Sequence, residues 1–336
     1  MTVERFGTLD GRDVLEVTLA GGGGAVAKVL TYGAVIRDLV VPGARGPQRV
    51  VLGLDRIEDY AAHSPYFGAV VGRYANRIGA ARFTLAGETH HLVPNEKGRN
   101  QLHGGPSGFG TRHWTLVDQT AASATLVLVS EDRDGGYPGR LVAICRYLWT
   151  EPATLRIMLE AHVDRPCPVN LTTHSYFNLD GSPDIGAHHL MIAADAVTPT
   201  DADLIPTGEV RSVDGTPYDF RTLHPIGPAQ NGTVYDINYV LRSRGPELAR
   251  AAILQSVASG VSLDLWTSEP GVQFYGGHLL AVPVPGLDGA RYGPRAGLCL
   301  EPQRFPDGPN HAHFPTCILQ PGQVSRQISE LRFSVL

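Results

Sequence analysis

In Leu155-Arg156-Ile157-Met158-Leu159-Glu160-Ala161-His162-Val163 every odd position is apolar, and the even positions are mostly polar. Successive side chains leave a strand on opposite faces, so this pattern makes a strand with one face on a core. Short apolar or alternating runs recur along the chain, at Ala25–Leu30, Val35–Val41, Ala124–Val129, Leu141–Trp149, Val261–Trp266 and Leu331–Val335. Turn clusters separate them, among them Asp134-Gly135-Gly136, Asp180-Gly181-Ser182-Pro183 and Asp214-Gly215-Thr216-Pro217. The 39 Gly and 25 Pro are scattered through the 336 residues, which suits many short elements joined by turns.

Gly21–Gly24 reads as a hairpin tip. One short helix is expected at Asp55–Ala62, with Asp55 as cap and Glu58 completing a capping box. Ile78–Leu85 reads as a further strand. No composition shift or fixed-period repeat marks a boundary. The expected fold is all-β, a single domain over residues 1–336 forming one large antiparallel β-sandwich with few short helices.

The net charge of −5, without a basic block, gives no footprint for nucleic acid. No stretch is apolar enough to suggest a membrane span, and the N-terminus lacks the layout of a signal peptide. Cys145, Cys167, Cys299 and Cys317 have no CxxC or zinc-finger spacing and read as reduced packing residues. A cytoplasmic protein, monomer or homodimer, is the expectation.

Three segments set polar residues among apolar ones: Gly72–Ile78 followed by Leu102–Phe109, then Asn170–Leu179, then Cys299-Leu300-Glu301-Pro302-Gln303. Glu301 follows Leu298-Cys299-Leu300, at the expected end of an apolar strand, where burial would raise its pKa toward that of a working base. His90-His91 and His188-His189 are adjacent pairs whose rings diverge on a strand. His311-Ala312-His313 lies between Pro309 and Pro315 and reads as a loop, with no carboxylate following at a regular short interval.

These segments resemble the aldose 1-epimerase (galactose mutarotase) family. Further matching stretches, in family order, are Asp134–Gly139, Leu204–Glu209, Gly215–Arg221, Tyr235-Asp236, Gly271–Tyr275 and Leu319–Gln323. The resemblance implies a galactose mutarotase-like sandwich with a sugar cleft. It also implies an activity, interconversion of the α and β anomers of a free aldose such as galactose or glucose, that needs an acid and a base but no cofactor and no metal. By the same resemblance Glu301 is the general base at the C1 hydroxyl, and His174 is the acid at the ring oxygen. His103 and Arg77 bind the sugar near the reacting centre, Asp236 grips its hydroxyls, and Asn76 and Gln273 add polar contacts.

The chain departs from the family pattern at Thr173, beside the implied acid, where many members carry Asn. It departs again at Ile237, after Asp236, where His or Asn is commoner, and in the tail Val324–Ile328. The expectation is altered support for His174 and Asp236 at the first two places, and altered packing in the tail. Three other readings stay open at this point. One is a sugar-binding protein without catalysis on the same scaffold. Another is a metal enzyme using His103, His174 and Glu301 as ligands. The third acts on a sugar phosphate, for which Arg77 is almost the lone candidate cation.

Overall fold

The structure is a computed structural model that describes residues 2–150, 153–228, 233–243 and 245–336. Strand makes up 48% of it and helix 9%. The alternation holds in the fold: Leu155, Ile157, Leu159, Ala161 and Val163 are all buried. They lie on the strand Thr154–Val163, between Leu141–Thr150 and Ser325–Val335.

That strand belongs to a nine-stranded sheet. A five-stranded sheet is a simple meander from Thr2–Leu9 to Gly46–Arg49, with Gly22–Gly24 at the tip between its second and third strands. A six-stranded sheet runs in the order Tyr176–Phe177, Leu298–Gln303, Gly271–Tyr275, Asp236–Leu241, Ala194–Thr198, Arg211–Ser212. Within these three sheets the described pairings are antiparallel. One apolar core takes Val17 and Val29 from the first sheet, Leu155 and Leu263 from the second, and Phe274 and Leu300 from the third. This is the expected sandwich: each sheet turns one face inward to remove apolar surface from water.

The six-stranded sheet differs from a half-solvated one in a way that matters for chemistry. Leu298, Leu300, Val272, Phe274, Ile237 and Tyr239 face the core. The alternate residues Cys299, Glu301, Gln303, Gln273 and Asn238 are buried as well, on the opposite face. Both faces of these strands are therefore covered, and the second face is polar.

Three local readings need correction. The helix spans Ile57–His63 with Arg56 at its N-cap and no side-chain cap. Asp55 lies outside the helix and faces the Arg37 guanidinium at 3.8 Å instead. Burial of Ile57 and Tyr60 against the protein, not a capping box, holds this short helix. The expected strand Ile78–Leu85 is broken by a 3-10 turn at Gly79–Ala81, where Ala80 takes φ of 52° and Gly79 N–H donates to Asp307 Oδ1. Only Arg82–Leu85 continues as strand. Glu301 lies inside the strand Leu298–Gln303 and not at its end.

The motifs around Arg73 and Asp134–Gly139 prove to be one structural unit. Arg73 is 2% exposed. Its guanidinium donates to the carbonyls of Ser130, Glu131, Pro138 and Gly139 and to Ser130 Oγ. Ser130 Oγ in turn donates to Asp134, whose charge offsets that of the arginine. Histidines outside the main motifs are likewise structural. His90 stacks on Phe83, and His311 and His313 reach the carbonyls of Pro206 and Gly208.

Candidate active site

All seven residues singled out from the sequence come together on and above the polar face of the six-stranded sheet. Three stand on adjacent strands. Gln273 is directly opposite Glu301 in one pairing, and Asp236 lies on the next strand along. The others arrive from connecting segments. His174 follows the two-residue strand Thr172–Thr173, with its N–H donating to Ala69 O and its carbonyl accepting from Gly68 N–H. Asn76 and His103 flank a short pairing of Arg77–Ile78 with Gln101–Leu102.

Asn76 and His103 lock one another. His103 N–H donates to Asn76 O, and Asn76 N–H donates to His103 Nδ1 at 3.1 Å. Both residues carry positive φ, 62° and 51°, which places their side chains where an ordinary strand would not. Asn76 Oδ1 accepts from Arg77 N–H. Because His103 Nδ1 accepts, its ring proton sits on Nε2. Burial, with His174 and Arg77 nearby, holds its pKa well below the ordinary value. His103 is thus a neutral donor at working pH.

Arg77 is held by two carboxylates. Its Nε and Nη2 make paired 2.8 Å hydrogen bonds to Glu96, and Nη1 faces Asp236 at 3.8 Å. Asp236 also accepts from Gln273 Nε2 at 2.6 Å. Gln273 Oε1 accepts from Gln303, which reaches Asn238 as well. Asp236 is still pushed upward in pKa, chiefly by burial.

Glu301 is 2% exposed, and its Oε2 is fully buried without a hydrogen-bond partner among the described residues. Burial first, and then the charge of Asp236, raise its pKa well above the ordinary value. His174 Nε2 stands 3.7 Å from this oxygen. Burial lowers the His174 pKa to about 4. Its ring stacks on Tyr176 (centroids 5.2 Å apart) and meets His103 edge-on at 5.1 Å. A buried acid and a buried base therefore face each other across a gap too long for a direct hydrogen bond.

This geometry carries a stability prediction. Glu301 keeps its proton in the folded state at pH values where the unfolded chain has already released it. The folded chain therefore loses stability as pH rises from the ordinary carboxylate range through the raised pKa, and the loss levels off above it. Each unit of upward displacement is worth about 1.4 kcal/mol. Glu301→Gln carries no such cost, so its melting temperature should match wild type near pH 4 and exceed it increasingly toward pH 8. Thermal scans of both proteins across that range check this, and a constant gap would show that Glu301 titrates normally.

Glu96 and Tyr66 join the site without a local signal in the sequence, as do the hydrogen-bonding roles of Gln303 and Asn238. Tyr66, at φ 66°, sets its ring 4.7 Å from His103 and 5.8 Å from His174. The two departures from the family pattern act differently from the expectation. Ile237 faces the core, away from Asp236, whose support comes from Gln273 and Arg77. Among the described residues, Thr173 makes no side-chain hydrogen bond to His174, whose Nδ1 is instead approached by Cys299.

Donor atoms of His103, His174 and Glu301 lie within 4.8 Å of one another, close enough to share a cation. The Arg77 guanidinium, whose field already acts on His103 and Glu301, opposes a second positive charge there. What the arrangement supplies on its own is a proton acceptor, a proton donor, and a polar wall of Arg77, Asp236, Gln273 and Asn76.

The sequence profile of the Aldose 1-epimerase family matches residues 16–332. The Aldose 1-epimerase of Escherichia coli (strain K12) is 37% identical over 335 residues, covering 96% of each chain. The Galactose mutarotase of Mus musculus is 40% identical over 334 residues, covering 94% of this chain and 96% of that one. Among solved structures, the GalM/aldose epimerase homologue from C. elegans superposes with a TM-score of 0.90 at 31% identity, over 96% of this chain and 99% of the other. The galactose 1-epimerase from Lactobacillus acidophilus NCFM gives 0.84 at 26% identity, over 99% and 98%. With fold and sequence in agreement over nearly its whole length, the chain belongs to the aldose 1-epimerase family of sugar isomerases.

Proposed function

We propose that Glu301 and His174 carry out mutarotation of a free hexose, galactose or glucose first among them, by acid–base ring opening and reclosure. The observation that carries the assignment is the buried, unpartnered Oε2 of Glu301 facing His174 Nε2 at 3.7 Å. Glu301 takes the proton from the C1 hydroxyl while His174 gives one to the ring oxygen. The bond from C1 to the ring oxygen breaks as the C1 carbonyl forms. Rotation about C1–C2 presents the other face of the aldehyde, and the two proton transfers run in reverse on reclosure.

The pair needs no net exchange with solvent. Ionised Glu301 with protonated His174 holds the same one proton as neutral Glu301 with neutral His174, so ring opening converts the first state into the second. Burial favours the second state, as the raised Glu301 and lowered His174 indicate. Sugar hydroxyls facing the charged groups supply the hydrogen bonds that the first state requires. In this reading Arg77 stabilises negative charge developing on oxygen, and neutral His103 donates to the sugar near C1. Asp236, oriented by Gln273, accepts from the sugar's hydroxyls, and Asn76 completes the polar wall.

The same reading makes the protein a cytoplasmic enzyme, one domain along the chain, acting as a monomer or homodimer. Four free, buried cysteines fit a reducing compartment. No helix among the described residues is long and apolar enough to cross a membrane.

Optical rotation of freshly dissolved α-D-galactose or α-D-glucose tests the function. The expected result is faster relaxation to the same equilibrium value, with full activity retained after chelator treatment and no stoichiometric metal. Sugar binding without acceleration for any common aldose would leave a binding protein. Activity lost to chelator and restored by a divalent ion would turn His103, His174 and Glu301 into ligands.

A further inference from the structure

One strand addresses both ring nitrogens of His174. Side chains alternate along Leu298–Gln303, so Cys299 and Glu301 leave the same face two residues apart. Glu301 Oε2 is 3.7 Å from Nε2, and Cys299 Sγ is 3.5 Å from Nδ1. Cys299 is 0% exposed, and its backbone is paired with Tyr176 on one side and Tyr275 on the other. Burial keeps the sulfur a thiol. Tyr176, stacked on the imidazole, fixes the plane of the ring, while Cys299 meets its edge.

A histidine that trades a proton at Nε2 makes a particular demand at Nδ1. In the protonated ring both nitrogens carry hydrogen, and once Nε2 has given up its proton the neutral ring keeps the one on Nδ1. Nδ1 therefore wants an acceptor in both states. A backbone N–H there would oppose both, and a carboxylate would favour the charged ring by raising its pKa. A thiol sulfur is a weak acceptor, so it holds the Nδ1 proton without strongly favouring either state.

We propose that Cys299 is a positioning residue for the epimerase reaction, holding Nδ1 of His174 through both protonation states so that Nε2 stays aimed at Glu301 and the sugar's ring oxygen. Its sulfur accepts the Nδ1–H of the neutral and of the protonated ring. Without it the neutral ring is free to settle with its proton on Nε2, which then cannot take up the proton that makes His174 the acid. The proposal rests on the reading of His174 as the acid.

The experiment compares Cys299→Ala, Cys299→Ser and Cys299→Val by mutarotation kinetics and by long-range ¹H–¹⁵N spectra of His174. Cys299→Ala should lower kcat about tenfold, as expected when a catalytic group loses its alignment, with KM nearly unchanged. Its His174 resonances should move from one Nδ1–H tautomer toward a mixture. Serine, able to donate and accept, should recover most of kcat and the single tautomer. Valine fills the space without hydrogen bonding and should behave like alanine. The serine and valine pair keeps the test intact if the alanine variant folds poorly.

Wild-type kcat in both the alanine and valine variants, with His174→Asn slow, overturns the role of Cys299 alone. So does a loss of kcat that serine fails to rescue while the tautomer is unchanged, since that is packing. A wild-type rate in His174→Asn overturns the acid assignment itself, and the role of Cys299 with it, whatever the spectra show.

Discussion

Glu301→Gln should slow mutarotation at least ~10²-fold, the range expected for removal of a well-placed general base. The fold and the sugar affinity should survive, because glutamine matches the shape of the neutral glutamic acid that burial already favours. His174→Asn should lose rate on the same scale. The double variant should be little slower than either single one. Glu301 and His174 move one proton between them, so a relay missing one end gains nothing from the other. Polarimetry on the three variants, with calorimetric sugar titration beside it, reads all of this. Full activity in Glu301→Gln would remove it as the base, and multiplicative losses in the double variant would show two independent contributions.

Arg73→Ala should be the most destabilising single change outside the apolar core. It removes the guanidinium donors to four carbonyls of the segment Ser130–Gly139, of which Glu131 O keeps the N–H of Asp134. A buried acceptor left without a partner costs about 1–3 kcal/mol, so even partial repair by water leaves a loss of at least about 3 kcal/mol. For a chain of this size that is a fall of roughly 5 °C or more in melting temperature. Arg73→Lys should recover little of it, because one ammonium cannot reproduce the fan of a guanidinium. Calorimetry of the two variants decides the matter, and a lysine variant as stable as wild type would show that charge alone is needed there.

The β-sandwich was readable wherever a strand buries one face, as along Leu155–Val163, because alternation is then written directly into residue type. It was least readable in the strand that bears Glu301. There the second face is buried too, under other segments, so Leu298-Cys299-Leu300 looks uniformly apolar and the carboxylate looks like its end. The helix boundary slipped because Asp55 is a good cap by type, yet its carboxylate lies near Arg37. Family resemblance, not periodicity, picked out the seven site residues. The structure adds why they can stand together: three share a sheet face, and two are held at positive φ. Glu96 and Cys299 were out of reach for a different reason. Each acts on a partner distant in sequence, Cys299 on a histidine 125 residues away, and nothing local signals such a pairing.

The division of the site between paired strands and turns also constrains how such a protein can change over generations. Inserting or deleting one residue before Glu301 on its strand would exchange the two faces, driving the carboxylate into the core and a leucine into its place. Length variation is closed to that segment, and only substitutions can be tried. The turn that carries Glu96 and the Gly276-Gly277-His278 stretch after Tyr275 lie outside the six-stranded sheet and are under no such restriction. Lineages built on this scaffold can therefore lengthen or trim the walls around a new sugar while inheriting the proton-transfer pair unaltered.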